Sequence, residues 1–184
     1  MRIIGGKFKK KVLTSIKSGE KLRPTSDFVR EAIFNILGEN ITNKVFLELF
    51  AGTGAVSVEA LSRGAKKVVL VEKNRKNLNL IKRNFELLNI QKSAYRIINR
   101  DCFDFLNNFD EKENIDIIFA DPPYNKGFIQ RLLNSLKNFN RLTDDNLIIL
   151  ECFKNEPFDF HNIFELLKEK KYGETKLIFL KKNY

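Results

Sequence analysis

Histidine and cysteine are scarce: the 184 residues hold one histidine, His161, and two cysteines, Cys102 and Cys152. No spaced set of Cys and His ligands exists, which argues strongly against a structural zinc site, and neither cysteine has the partners of a disulfide framework. Both are expected to be reduced and mainly structural. No apolar run is long enough to span a bilayer, and Met1 is followed by Arg2-Ile3-Ile4-Gly5-Gly6, not by a charged region and a long apolar stretch. A cytoplasmic protein without membrane or metal is expected. There is no internal repeat, linker or low-complexity segment, so the length and the 43% apolar content fit one domain with a sizeable core. A G-x-x-x-x-G-K-[ST] loop is also missing, which argues against a nucleoside triphosphate site.

Charge is present in excess and unevenly spread. The formal net charge is +10. Residues 1–30 contain nine Lys/Arg (Arg2, Lys7, Lys9, Lys10, Lys11, Lys17, Lys21, Arg23, Arg30) against Glu20 and Asp27, a balance of +7, and the other 154 residues supply +3. A basic arm on a nearly neutral body suggests a polyanionic partner, with a solvated tail as the alternative.

The short β-prone pieces "RIIGG" and "KVLTSI" predict a basic hairpin or arm over residues 1–22. A lead-in helix is expected over 23–38, with Thr25 or Ser26 as cap, Asp27 in the first turn and Gly38 as its stop. From residue 45 to 184 strands and helices alternate. "VFLELF", "KVVLVE", "YRIIN", "IDIIFAD" and "LIILEC" read as strands, with helices at Ala55–Arg63, Asn74–Leu88, after Asp101 and at Phe128–Leu136. The tail "FELLKEKKYGETKLIFLKK" reads as two strands turning at Tyr172-Gly173. This alternation predicts an α/β fold with a doubly wound, mainly parallel sheet, closed by a hairpin that inserts one antiparallel strand.

The chemistry gathers after the strands. "FAGTGAVS" puts Gly52 and Gly54 before a helix, where backbone can approach a ligand. The third small position of a dinucleotide fingerprint is Ser57, so a nicotinamide or flavin site is disfavoured. Glu48 is a carboxylate inside an apolar strand, which needs a cation or a donor; loop amides could serve. Glu72 ends the second strand, 18 positions after Gly54, where an acid can accept both ribose hydroxyls or simply be a surface charge. Asp101 can accept from an adenine amino group or cap the helix from Cys102. A ribose, an adenine and an amino group without phosphate describe S-adenosylmethionine. Asp121-Pro122-Pro123-Tyr124 then forms a stiff bracket, since neither proline can extend the ladder. Asp121 and the Pro122 carbonyl can accept both N–H bonds of an exocyclic amino group, and Tyr124 can stack on the base.

"DPPY", with "RPTSDFVREAIFNIL" (23–37), "LELFAGTGAVSVEALSRGA" (47–65), "VEKN" (71–74), "RIIGGKF" and "KKYGETKLIFLKK", resembles the RsmD-type family of bacterial 16S ribosomal RNA guanine-N2 methyltransferases. The resemblance covers essentially the whole chain. It implies a Rossmann-like class I S-adenosylmethionine-dependent methyltransferase fold with a seven-stranded sheet. It also implies an expected monomer acting on 16S rRNA in the small ribosomal subunit or an assembly intermediate. By the same resemblance Glu48, Ala51, Gly52, Thr53, Gly54, Glu72, Lys73, Asp101, Cys102 and Thr25 bind the cofactor, and Asp121, Pro122, Pro123 and Tyr124 hold the target guanine. Arg23 lies beside that pocket, and Lys7, Lys9, Lys10 and Lys11 meet the RNA. The arm is richer in Lys than is usual in the family, and Lys suits phosphate contacts better than forked base contacts. Two alternatives remain: an adenine-amino DNA methyltransferase, for which 184 residues leave no target-recognition region, and a non-catalytic RNA-binding protein, for which the bracket has no use.

Overall fold

The computed structural model describes residues 1–15, 25–108 and 114–183. Among them, seven strands form one sheet: β1 (Val45–Leu49), β2 (Lys67–Glu72), β3 (Tyr95–Asn99), β4 (Ile117–Ala120), β5 (Leu147–Phe153), β6 (Phe164–Tyr172) and β7 (Thr175–Lys182). Their order is β3-β2-β1-β4-β5-β7-β6. The first five are parallel, and β7 runs antiparallel between β5 and β6. The expected mixed sheet is therefore present, with the closing hairpin supplying its antiparallel strand.

The apolar strands are buried on both faces, as near-continuous Val/Ile/Leu runs require. Alternate residues go to opposite sides. Phe46, Val68, Leu70, Ile117, Phe119, Ile149, Leu177 and Phe179 pack with helices α1 (Asp27–Leu37), α2 (Ala55–Ser62) and α3 (Arg75–Leu87). Leu47, Val69, Val71, Ile118, Ile148, Leu150 and Ile178 pack with α4 (Cys102–Asn107) and α5 (Phe128–Lys137). α2 is buried along all eight residues, so it is apolar or small nearly throughout.

Helix ends follow local chemistry. Ser26 caps α1 by accepting from Val29 N–H, Asn74 caps α3, and Asp101 caps α4. Thr25 is thereby left for another role. Arg23 and Pro24, where the lead-in helix was expected to begin, lie outside the described residues, as do Lys17 and Lys21.

Residues 1–14 form a hairpin. Arg2 and Val12 bridge antiparallel, Ile3 N–H donates to the Lys11 carbonyl, and a tight turn at Gly6–Phe8 reverses the chain. The hairpin is docked on α2. Glu59, fully buried, accepts from Ile4 N–H and Gly5 N–H at 2.9 and 2.7 Å and also meets Arg30 and Arg63. Ser62 Oγ donates to the Gly5 carbonyl and accepts from Phe8 N–H. A Cβ on Gly6 would fall 1.8 Å from the Ser62 carbonyl oxygen, and its φ is +70°, so only glycine fits there.

Candidate active site

β1 and β4 are neighbours, while the connections from β1 and β2 lie on one face and those from β3 and β4 on the other. This is the point where strand order reverses, and the crevice outside the carboxyl ends of such strands is where open α/β sheets bind ligands. A cleft of about 640 Å³ lies there. Its lining includes Thr25, Glu48, Ala51, Gly52, Thr53, Glu72, Lys73, Asp101, Cys102 and the whole Asp121–Tyr124 bracket. Five carboxylates (Glu48, Glu72, Asp101, Asp121 and Glu151) face this cleft in a chain of net charge +10. Among the described residues no three His, Cys, Asp or Glu cluster as a metal-ligand set, so the acids are arranged for separate contacts.

Glu48 is fully buried. Its Oε2 accepts from both the backbone N–H and the hydroxyl of Ser57 at the start of α2. Burial raises its pKa from 4.5 to about 7, against the lowering effect of those two bonds. Glu72 has a different arrangement. Oε2 accepts from Gly52 N–H at 2.8 Å and Oε1 from Asn74 N–H at 2.7 Å. Each oxygen keeps a second lone pair, so the pair can still receive two hydroxyls from the cleft. Gly52, at φ +54°, sits on the lining, and an added Cβ would have nothing closer than 3.9 Å. Gly54 is not on the lining: it starts α2 at φ +73°, and a Cβ would press on Ile81 and Leu70 at 3.2 and 3.3 Å. Its glycine serves the turn and the packing of α3 on the sheet.

Asp101 does two jobs at once. It caps α4 through Phe103 N–H at 3.0 Å and pairs with Lys73 Nζ at 3.0 Å. Burial works to raise its pKa, but Lys73 and the cap bond outweigh it and hold the carboxyl below the usual range; Lys73 is raised in return. Burial pushes the adjoining Cys102 thiol up to about 12, so it stays protonated and unreactive.

The bracket is held from both sides. Thr25, 96 residues away in sequence, donates its hydroxyl to Asp121 Oδ2 at 3.3 Å. Tyr124 donates its hydroxyl to Glu151 Oε1 at 3.0 Å and bonds Thr175 at 3.2 Å. Burial, then Glu151 and Asp121, drive the phenol pKa well above its ordinary value, so Tyr124 remains neutral. The hairpin lysines Lys7, Lys9, Lys10 and Lys11 are exposed and do not line the cleft. Asn84 links the two regions: it bonds Thr14 through both backbone groups and donates to the Thr53 carbonyl of the glycine loop. Arg23 lies outside the described residues.

The family model described as Conserved hypothetical protein 95 matches residues 1–181. The chain belongs to that family. It is 35% identical over 173 residues to the Ribosomal RNA small subunit methyltransferase D of Haemophilus influenzae, covering 94% of this chain and 89% of that one. It is 35% identical over 151 residues to the enzyme of the same name from Escherichia coli K12, covering 82% and 74%. The solved structure of yhhF from Escherichia coli superposes with a TM-score of 0.83 at 31% identity, covering 100% of this chain and 98% of that one. The fold is the Rossmann-like fold of S-adenosylmethionine-dependent methyltransferases.

Within this family fold, several cleft residues were not singled out from sequence. Glu151 and Thr175 reach the cleft because β7 inserts beside β5, a pairing of distant segments. Phe50 lines the cleft at φ +59°, a conformation no sequence pattern announces for a phenylalanine. Glu151 did carry a signal: a lone acid in the apolar run "LIILEC", the same anomaly that marked Glu48.

Proposed function

We propose that the chain methylates the exocyclic N2 amino group of a guanine in 16S ribosomal RNA, acting in the cytoplasm as a monomer on the small subunit or its assembly intermediate. The observation that carries this is the Asp121–Tyr124 bracket sharing one cleft with Glu48 and Glu72. The donor set suits S-adenosylmethionine: acids for an ammonium, a sulfonium and two hydroxyls, and no phosphate cradle. Glu72 would hold the ribose hydroxyls, Glu48 the amino-acid end, Asp101 and Cys102 the adenine side, and Ala51, Gly52 and Thr53 the backbone wall. Bound there, S-adenosylmethionine supplies an electrophilic sulfonium methyl.

The remaining work belongs to the bracket. A base amino group is a poor nucleophile because its lone pair is delocalised into the ring. Asp121 and the Pro122 carbonyl accept its N–H bonds, favour a pyramidal nitrogen and stabilise the positive charge that develops on it. Thr25 orients the Asp121 carboxylate. Tyr124 provides a stacking face that keeps the base in line. The two prolines fix the spacing of these atoms.

Mass mapping of methylated guanines in 16S RNA from cells with and without this chain tests the proposal. One N2-methylguanine that depends on the chain is expected. An unchanged guanine map would contradict it.

A further inference from the structure

We infer that Phe28 and Tyr172 form a second stacking site at the cleft rim, which takes an unpaired RNA base flanking the target guanine. The inference rests on the function proposed above. The two rings meet edge to face, with centroids 5.4 Å apart at 82°. Phe28 is 64% exposed, the most exposed of the large apolar side chains among the described residues. An edge-to-face pair uses the face of only one ring, so stacking surface remains.

The position ties the pair to the bracket from both sides. Phe28 lies in the first turn of α1, three residues after Thr25, which holds Asp121. Tyr172 lies directly opposite Thr175 across the β6–β7 turn, and Thr175 holds the Tyr124 hydroxyl. The surroundings suit a nucleic acid strand. Lys170 stands opposite Leu177 and Lys168 opposite Phe179, so both share the face of Tyr172. Leu177 and Phe179 pack with α1 and the hairpin, which places Lys168 and Lys170 on the same side of the sheet as Lys7, Lys9, Lys10 and Lys11. Single-strand sites combine such basic tracks with aromatic platforms. A target guanine turned out of its stack leaves a neighbour unstacked, and a ring at the rim compensates that neighbour.

Stacking and ionic contacts have different salt signatures, and the test uses that difference. The probe is a fluorescein-labelled single-stranded oligoribonucleotide of mixed sequence, titrated at several salt concentrations. Phe28→Ala is expected to weaken binding roughly tenfold at every salt concentration, leaving the slope unchanged. Phe28→Tyr should bind like the wild type, and Phe28→Leu like Phe28→Ala. The pair Lys168→Ala and Lys170→Ala should instead flatten the slope. Unchanged calorimetric affinity for S-adenosylhomocysteine checks that each variant is folded. Equal binding by wild type and Phe28→Ala overturns the stacking site alone. Wild-type binding by Phe28→Leu also overturns it, because an apolar contact without a ring is then sufficient. Absence of oligoribonucleotide binding by the wild type also overturns the site, while the parent function, whose substrate is the small subunit or its assembly intermediate, is decided separately by the guanine map.

Discussion

The hydroxyl of Tyr124 donates to Glu151 Oε1 at 3.0 Å across 27 residues of sequence. The ring expected to stack on a base is thus tethered from beneath by a buried acid. Tyr124→Phe keeps the stacking face but cuts the tether and leaves Glu151 without that donor. It should retain cofactor affinity and lose about 1–2 kcal/mol of transition-state stabilisation. Tyr124→Ala should lose roughly 1–3 kcal/mol more, because the face is also gone. Comparison of kcat/KM for the two variants checks this, and equal losses would mean that the ring itself has no role.

Glu48 makes the fold sensitive to pH. Its folded pKa, about 7, lies above the ordinary 4.5. Between those values the folded state binds more protons than the unfolded chain, so stability falls as pH rises from 4.5 towards 7. At 1.36 kcal/mol per pH unit the full effect is roughly 3 kcal/mol. Glu48→Gln still accepts from Ser57 and carries no charge. It should match the wild type near pH 4.5, be more stable at pH 8 and bind S-adenosylmethionine poorly. Thermal melts of the ligand-free protein across that pH range are the check; parallel stability profiles for the two proteins would refute the assignment.

Glu59 anchors the hairpin. It is fully buried and receives two backbone N–H groups and two arginines, one of them the buried Arg30. Glu59→Ala removes the carboxylate from both N–H groups and from Arg63 and leaves the buried Arg30 with the exposed Asp27 as its acid, which should cost about 3–5 kcal/mol. Urea unfolding measures the loss, and hydrogen exchange at Ile4 and Gly5 should accelerate beyond the global change.

Much of this was legible along the chain. Glu48, Glu72 and Asp121 each lie in or just after a strand whose apolar run is continuous, and Asp101 follows the mixed, half-buried edge strand "YRIIN", so the parallel sheet and the acids at its carboxyl ends could be read together. Asp101 also shows why one residue can satisfy two readings: it caps α4 with one oxygen and meets Lys73 with the other. What could not be read depends on contacts between distant segments. Thr25 reaches Asp121 only because α1 packs on the sheet, with Phe34 against Phe46 of β1, the neighbour of β4. Thr175 reaches Tyr124 only because β7 enters next to β5. Glu59 sits in a helix of small and apolar residues, and its two backbone donors lie 54 and 55 residues earlier. An acid inside a run of apolar or small residues was the available clue, and it applied to Glu59 and Glu151 as much as to Glu48.

The hairpin lysines are held on a docked scaffold, and their exposed side chains take no part in the Glu59 or Asn84 contacts. Replacing Lys7, Lys9, Lys10 and Lys11 with Ala should weaken RNA binding and lower the salt slope by about 0.7–0.9 for each phosphate no longer neutralised. S-adenosylmethionine affinity should be unchanged. Wild-type methylation of small-subunit particles by the quadruple variant in moderate salt would show that the lysines do not grip RNA.

The central claim is that the Asp121 bracket activates a guanine amino group. The most direct measurement is transfer of a labelled methyl group from S-adenosylmethionine to small-subunit particles lacking the modification, followed by digestion to nucleosides. The wild type should place the label in N2-methylguanosine, and Asp121→Ala should bind S-adenosylhomocysteine within a few-fold of wild type yet transfer no label. Label in any other nucleoside, or transfer by Asp121→Ala at the wild-type rate, would contradict the account.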